Sequence, residues 1–212
     1  MQSILSKAIS KENIFDYIIK KIEDEVNTPC NSMLDIKNKN KNQIRGKLWE
    51  EFCYLYLLSE GYIVYYTYNL PNTISEKINL SNTRDIGIDL IAIMNDKYYA
   101  IQCKYRNSKS SYNKGKVNWK ELSTFYAACN LTGPYSKKII MTNCFGITYS
   151  KGVPKDINVK VIAKGSFTKM SSLDYAKLIP YRIIESISEN NKLKNEINLE
   201  EIRKLRLIKY CK

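Results

Sequence analysis

At 212 residues the chain is long enough for one domain with a proper core and short for two. Lysine and arginine number 34 against 21 acids, a formal charge of +13, which favours a polyanionic partner, nucleic acid ahead of an acidic membrane. There is no histidine, so imidazole bases, Ser-His or Cys-His nucleophiles and His-ligated metals are all excluded. Carboxylates, lysine and a hard metal ion bound through oxygen are what is left for catalysis.

No apolar run is long enough to span a bilayer, and "MQSILSKAISKENIF" lacks the apolar stretch and cleavage site of a signal peptide. The expectation is a soluble intracellular protein, of cytoplasm or nucleus, with no membrane partner. Six cysteines (Cys30, Cys53, Cys103, Cys129, Cys144, Cys211) show no C-x-x-C spacing, and several sit in apolar runs. They read as reduced core thiols, against a disulfide framework or a zinc site.

In chain order, residues 1–27 carry Ile4, Ala8, Phe15, Ile18, Ile19 and Ile22 near helical spacing among charges. "NTPCNSMLDIKNKNKNQ" then reads as a linker, so residues 1–43 are expected to form a helical appendage with its linker. "RGKLWEEFCYLYLLSEGY" predicts a helix that stops at Gly61, and "YIVYYTY" a strand. Residues 69–84, with Pro71 and several Asn and Ser, read as a loop. Ile88–Met94 and Tyr98–Lys104 read as two strands joined by a tight turn at Asn95–Lys97. After a polar loop, "VNWKELSTFYAACN" reads as a helix, then "KKIIMTN" and "NVKVIAKG" as strands. The tail 181–212 reads as a charged helical extension, with 44–180 as the main domain.

The hairpin has polar residues where core is expected. Strand alternation puts Tyr98, Ala100, Gln102 and Lys104 on one face, with Gln102 and Lys104 roughly 6.5 to 7 Å apart. On the partner strand Ile88, Leu90 and Ala92 are expected to point one way and Asp89 the other. Asp89, near the start of its strand, meets Gln102 and Lys104 near the end of theirs. Phosphodiester hydrolysis needs parts of this kind: a carboxylate to hold Mg²⁺ or Mn²⁺, and a lysine to position the nucleophile and offset charge. Gln102 offers a neutral oxygen, a weaker ligand, which makes a second carboxylate important. Glu50 or Glu51 on the preceding helix can supply it, and a helical wheel does not separate them.

The pieces "RGKLWEEFCYLYLL", "DIGIDLIA" and "YYAIQCKYR" resemble the restriction-endonuclease-like PD-(D/E)xK phosphodiesterases. The likeness is to the Mrr-type branch, as in the nuclease module of helicase-linked restriction enzymes. It covers about residues 45–180. The resemblance implies an α/β core of helix, three strands, helix and two strands, with a mixed sheet between helices. By position it implies Glu50, after Trp49, as the helix carboxylate, Asp89 as the central metal ligand, Gln102 in place of the usual acid, and Lys104 as the lysine. Asp85 would order the loop. No G-x-x-x-x-G-K-[ST] loop occurs, so a helicase partner would be a separate protein.

Arg106, Lys109, Lys114, Lys116 and Lys120 follow the site, interleaved with Tyr105, Tyr112 and Trp119, and suit contacts to DNA phosphates. The expected activity is a Mg²⁺- or Mn²⁺-dependent DNA endonuclease, a homodimer where both strands are cut. The alternatives are a junction- or flap-specific nuclease and a non-catalytic nucleic-acid-binding module of the same fold.

Overall fold

The computed structural model describes residues 1–28, 40–80, 87–107, 115–148 and 156–179. Most of the expected linker, Cys30, Asp85, Lys109, Lys114, Cys211 and the expected C-terminal extension lie outside the described residues.

Helices α1 (Gln2–Ala8) and α2 (Ile14–Asn27) open the chain. Ile14, Phe15, Ile18, Ile22 and Val26 of α2 are buried at three-and-four spacing, a single apolar stripe. Most of that stripe lies in one apolar cluster with Trp49, Phe52 and Phe167, so the segment expected as an appendage shares its core with the rest of the fold.

Helix α3 (Lys41–Ser59) begins inside the stretch read as linker. The Asn40 side chain accepts from the N–H groups of Asn42 and Gln43 at 3.1 and 3.3 Å, a cap that the surrounding Asn/Lys run conceals in sequence. The other end is where glycine predicts it. Gly61 sits at φ +89°, and the Gly61 and Tyr62 N–H groups close onto the carbonyls of Leu58 and Leu57.

Strand β1 (Ile63–Tyr66) runs into a short 3₁₀ turn, Thr67–Asn69. The stretch read as a loop contains a helix, α4 (Asn72–Lys77). Then come β2 (Leu90–Met94) and β3 (Lys97–Lys104). Their two-residue turn has Asn95 and Asp96 both at positive φ, 50° and 58°, the mirror-image turn whose twist matches the flanking strands. The next stretch, read as one helix, divides into β4 (Val117–Asn118), a 3₁₀ turn (Trp119–Leu122) and α5 (Ser123–Leu131). The remaining elements are β5 (Lys137–Thr142), β6 (Ile147–Thr148), β7 (Val159–Ile162), α6 (Lys164–Phe167) and α7 (Ser172–Ala176).

The main sheet has the spatial order β1-β2-β3-β5-β7, antiparallel across β1, β2 and β3 and parallel from β3 to β7. It is a mixed sheet in an α/β fold. One face packs on α1, α2 and α3 through Leu90, Ala92, Ile101 and Met141; the other packs on α5 through Ile91, Ala100 and Ile140. Two parallel residues each from β4 and β6 form a separate small pair. No helix among the described residues is long and apolar enough to cross a membrane.

Ile88 departs from the expected alternation. It joins the α5-side cluster while Leu90 and Ala92 face α3, because β2 begins only at Leu90. Gly87 sets this up at φ +82°, where a Cβ would come within 3.1 Å of the Thr124 side chain. Glycine therefore lets the chain turn against α5 just before Asp89.

Candidate active site

The site is assembled at the end of the sheet where β2 starts and β3 finishes. Strand register runs Leu90 opposite Ile101, which carries Asp89 to Gln102. Here β3 extends beyond the start of β2, and the Asp89 carboxylate takes up what the ladder leaves. Its Oδ2 accepts from the Cys103 backbone N–H and from Gln102 Nε2, each at 2.5 Å. Two bonds on one carboxylate oxygen fix its rotamer, and charge-assisted bonds of this kind are about twice as strong as neutral ones.

Gln102 is 4% exposed, one of the few buried polar side chains among the described residues. With its amide nitrogen turned to Asp89, its amide oxygen accepts no hydrogen bond among the described residues. Lys104 lies two residues further along β3, beside Thr142 of β5, half-buried and with no ion-pair or hydrogen-bond partner among the described residues.

The structure separates Glu50 from Glu51. The Glu51 carboxylate turns to the amino group of Met1 at 3.4 Å. The Glu50 carboxylate lies over Gly46, one turn earlier, 3.8 Å from where a Cβ on that glycine would be. Trp49 between them is wholly buried, donates Nε1–H to the Met141 carbonyl at 3.2 Å and stacks on Phe52, anchoring α3 to β5. Glu50 and Asp89 share a neighbourhood: burial pushes the thiols of Cys53 and Cys103 up, and the negative charges of both carboxylates push them further. With no metal bound those thiols stay protonated. All four described cysteines, Cys53, Cys103, Cys129 and Cys144, are free and buried, as the sequence implied.

The available donors are thus oxygens: Asp89, Glu50 and the Gln102 amide. Among the described residues no group of three or more His, Cys, Asp or Glu could hold a metal. Oxygen donors of this kind suit a hard divalent ion, which completes its shell with water and substrate phosphate.

Of the basic residues expected to contact DNA, Arg106 is held by its neighbours. Its guanidinium pairs with Glu121, and its backbone N–H and carbonyl are both bound by the Asn143 amide, at 2.7 and 2.8 Å. Lys116 and Lys120 are exposed on either side of β4. A network that the sequence did not reveal stands behind the site. Glu23 of α2 accepts from Arg45 through two guanidinium nitrogens and from the Tyr105 hydroxyl at 2.8 Å. It thereby ties α2 to the first half of α3 and to the residue after Lys104. Its partners are 22 and 82 residues away, so no local pattern marks it.

A family model of the Mrr catalytic type, described as restriction endonuclease, matches residues 71–183, more than half of the chain. The chain belongs to this restriction endonuclease family. The match takes in Asp89, Gln102 and Lys104 but starts after α3, leaving Glu50 outside it. No curated protein and no solved structure matches significantly. Members of the family are nucleases acting on DNA, and domains of this fold generally use divalent metals, as the resemblance in the sequence implied.

Proposed function

We propose that this restriction endonuclease family member is a Mg²⁺- or Mn²⁺-dependent DNA endonuclease, with Glu50, Asp89, Gln102 and Lys104 as its site. The observation that carries the reading is the Asp89 carboxylate, fixed across the hairpin by Gln102 and Cys103, with Lys104 two residues beyond Gln102 on β3 and Glu50 on α3. Asp89, Glu50 and the Gln102 amide oxygen would hold the ion, which supplies Lewis acidity at the phosphate when bound. Asp89 arrives with its rotamer set, so little reorganisation is needed as charge develops. The Lys104 ammonium offsets negative charge on the phosphoryl oxygens and orients the attacking water. Lys116 and Lys120, with Lys109 and Lys114, contact phosphates and position the duplex without reading its sequence. Cutting both strands takes two copies, and a homodimer is part of the proposal.

Purified protein incubated with supercoiled plasmid and Mg²⁺ or Mn²⁺ tests it, beside Asp89→Ala and EDTA controls. Nicking or linearisation that disappears in both controls is expected. Binding without cleavage, the same in wild type and variant, would replace the proposal with a non-catalytic nucleic-acid-binding module. Faster cleavage of a four-way junction or flap than of linear duplex would keep the nuclease and specify it as structure-specific.

A further inference from the structure

Three tyrosine rings form a ladder from α3 to the site end of β1. Tyr54 and Tyr66 stack with centroids 5.0 Å apart and planes 8° apart; Tyr66 and Tyr68 follow at 5.1 Å and 21°. The first two rings are half-buried, but Tyr68 is 71% exposed. Packing accounts for Tyr54 and Tyr66. It does not account for a third ring, laid flat on the second and otherwise open to water.

The ladder ends beside Asp89. The residue before Tyr68, Thr67, donates both its backbone N–H and its hydroxyl to the Asp89 carbonyl, at 3.2 and 3.3 Å. With about 3.8 Å between successive Cα atoms and at most about 5.5 Å across the pair, the Tyr68 Cα is within roughly 9 Å of that of Asp89. Burial pushes the Tyr66 hydroxyl up, and the carboxylates of Glu51 and Glu50 push it further. A chain of net charge +13 favours a polyanionic partner, and a nucleobase is the part of such a polyanion that stacks on an open aromatic face. Because Tyr66 already holds the Tyr68 ring, little side-chain freedom is left to lose when a base stacks on it.

We infer that Tyr68, backed by Tyr66 and Tyr54, is a stacking platform for one unpaired nucleobase next to the phosphodiester at Asp89. The preferred substrate is then DNA with an unpaired or extruded base, ahead of continuous duplex. This rests on the endonuclease reading of the site and specifies its substrate class. Stacking is tolerant of base identity, since every base presents a π-face, so the platform selects structure and not sequence.

The test is run in EDTA, where binding is read without cleavage. A single-stranded oligonucleotide carrying a fluorescent adenine analogue that is quenched on stacking is titrated with protein, beside a continuous duplex and a duplex with one unpaired analogue. Wild type is expected to quench the single strand and the unpaired analogue. Tyr68→Ala should bind both about 5- to 150-fold more weakly, the span found for losing one base–aromatic stack. Tyr68→Phe and Tyr68→Trp should retain the quench. Equal binding and equal quench in Tyr68→Ala would overturn the platform while leaving the nuclease standing. So would wild type that binds continuous duplex without quenching either unpaired probe; that result would leave the ring for another protein's side chain. Failure of wild type to bind any of the three DNAs would overturn the endonuclease reading and the platform with it.

Discussion

Replacing Gln102 with glutamate restores the acid usual at this position in the resembling enzymes, and the structure gives its cost without metal. Gln102 is buried and its Nε2 donates to Asp89 Oδ2 at 2.5 Å. A glutamate there has no donor to give. Either it stays ionised, forfeiting a hydrogen bond to a charged acceptor worth about 1.5–3 kcal/mol and adding like-charge repulsion, or it takes up a proton. From a reference pKa near 4.3, protonation at pH 7 costs about 3.7 kcal/mol. The cheaper route wins, so Gln102→Glu should lose roughly 2–4 kcal/mol in EDTA at pH 7. For a chain of this size that lowers the melting temperature by about 4–16 °C. A carboxyl that is protonated more readily when folded binds more protons in the native state, so the deficit is greatest at neutral pH and shrinks as pH falls. Magnesium should also restore more stability to the variant than to wild type, because an added carboxylate strengthens an oxygen site. Thermal unfolding at two pH values, with and without Mg²⁺, reads all three effects. A variant as stable as wild type in EDTA at pH 7 would show that Gln102 does not hold Asp89, and the proposed constellation would fall.

Lys104→Gln, which breaks no ion pair among the described residues, should leave the melting temperature within about 2 °C. It should nonetheless slow plasmid cleavage at least tenfold; unchanged cleavage would remove Lys104 from the chemistry. Trp49→Ala deletes a wholly buried ring and its bond to the Met141 carbonyl, and should cost about 3–5 kcal/mol in denaturant unfolding. A loss under 1 kcal/mol would mean that α3 is not anchored there. Burial pushes Tyr56 and Tyr135 up to about 12. Their unfolded forms ionise near 10, so the stability these two rings contribute is full below about pH 10 and is lost as pH rises towards 12. Tyrosine absorbance should then rise together with loss of circular dichroism; ionisation of these rings well before unfolding would contradict their burial.

Much of the site end of the sheet was legible because short-range rules govern it. A hairpin brings the start of one strand beside the end of the other, so Asp89 and Gln102 could be brought together from sequence; the exact register came from the structure, which shortens the expected Asn95–Lys97 turn to Asn95 and Asp96. Gly61 marked the end of α3 through its left-handed φ. Ile88 broke the alternation because Gly87 packs on Thr124, a contact between segments more than thirty residues apart that no local pattern encodes.

Composition and local periodicity thus determined, by themselves, an α/β chain without imidazole chemistry, basic enough to seek a polyanion, with a carboxylate, an amide and a lysine gathered at one hairpin end. Only the tertiary structure decided the long-range matters. It turned Glu51 to Met1 and laid Glu50 over Gly46, paired Arg106 with Glu121, tied α2 to Tyr105 through Glu23, and stacked Tyr68 on Tyr66, itself stacked on Tyr54. The physical reason is reach: dihedral preferences and hydrogen-bond periodicity act over a few residues, whereas the partner of a helix carboxylate or an exposed ring depends on what packing brings from elsewhere in the chain.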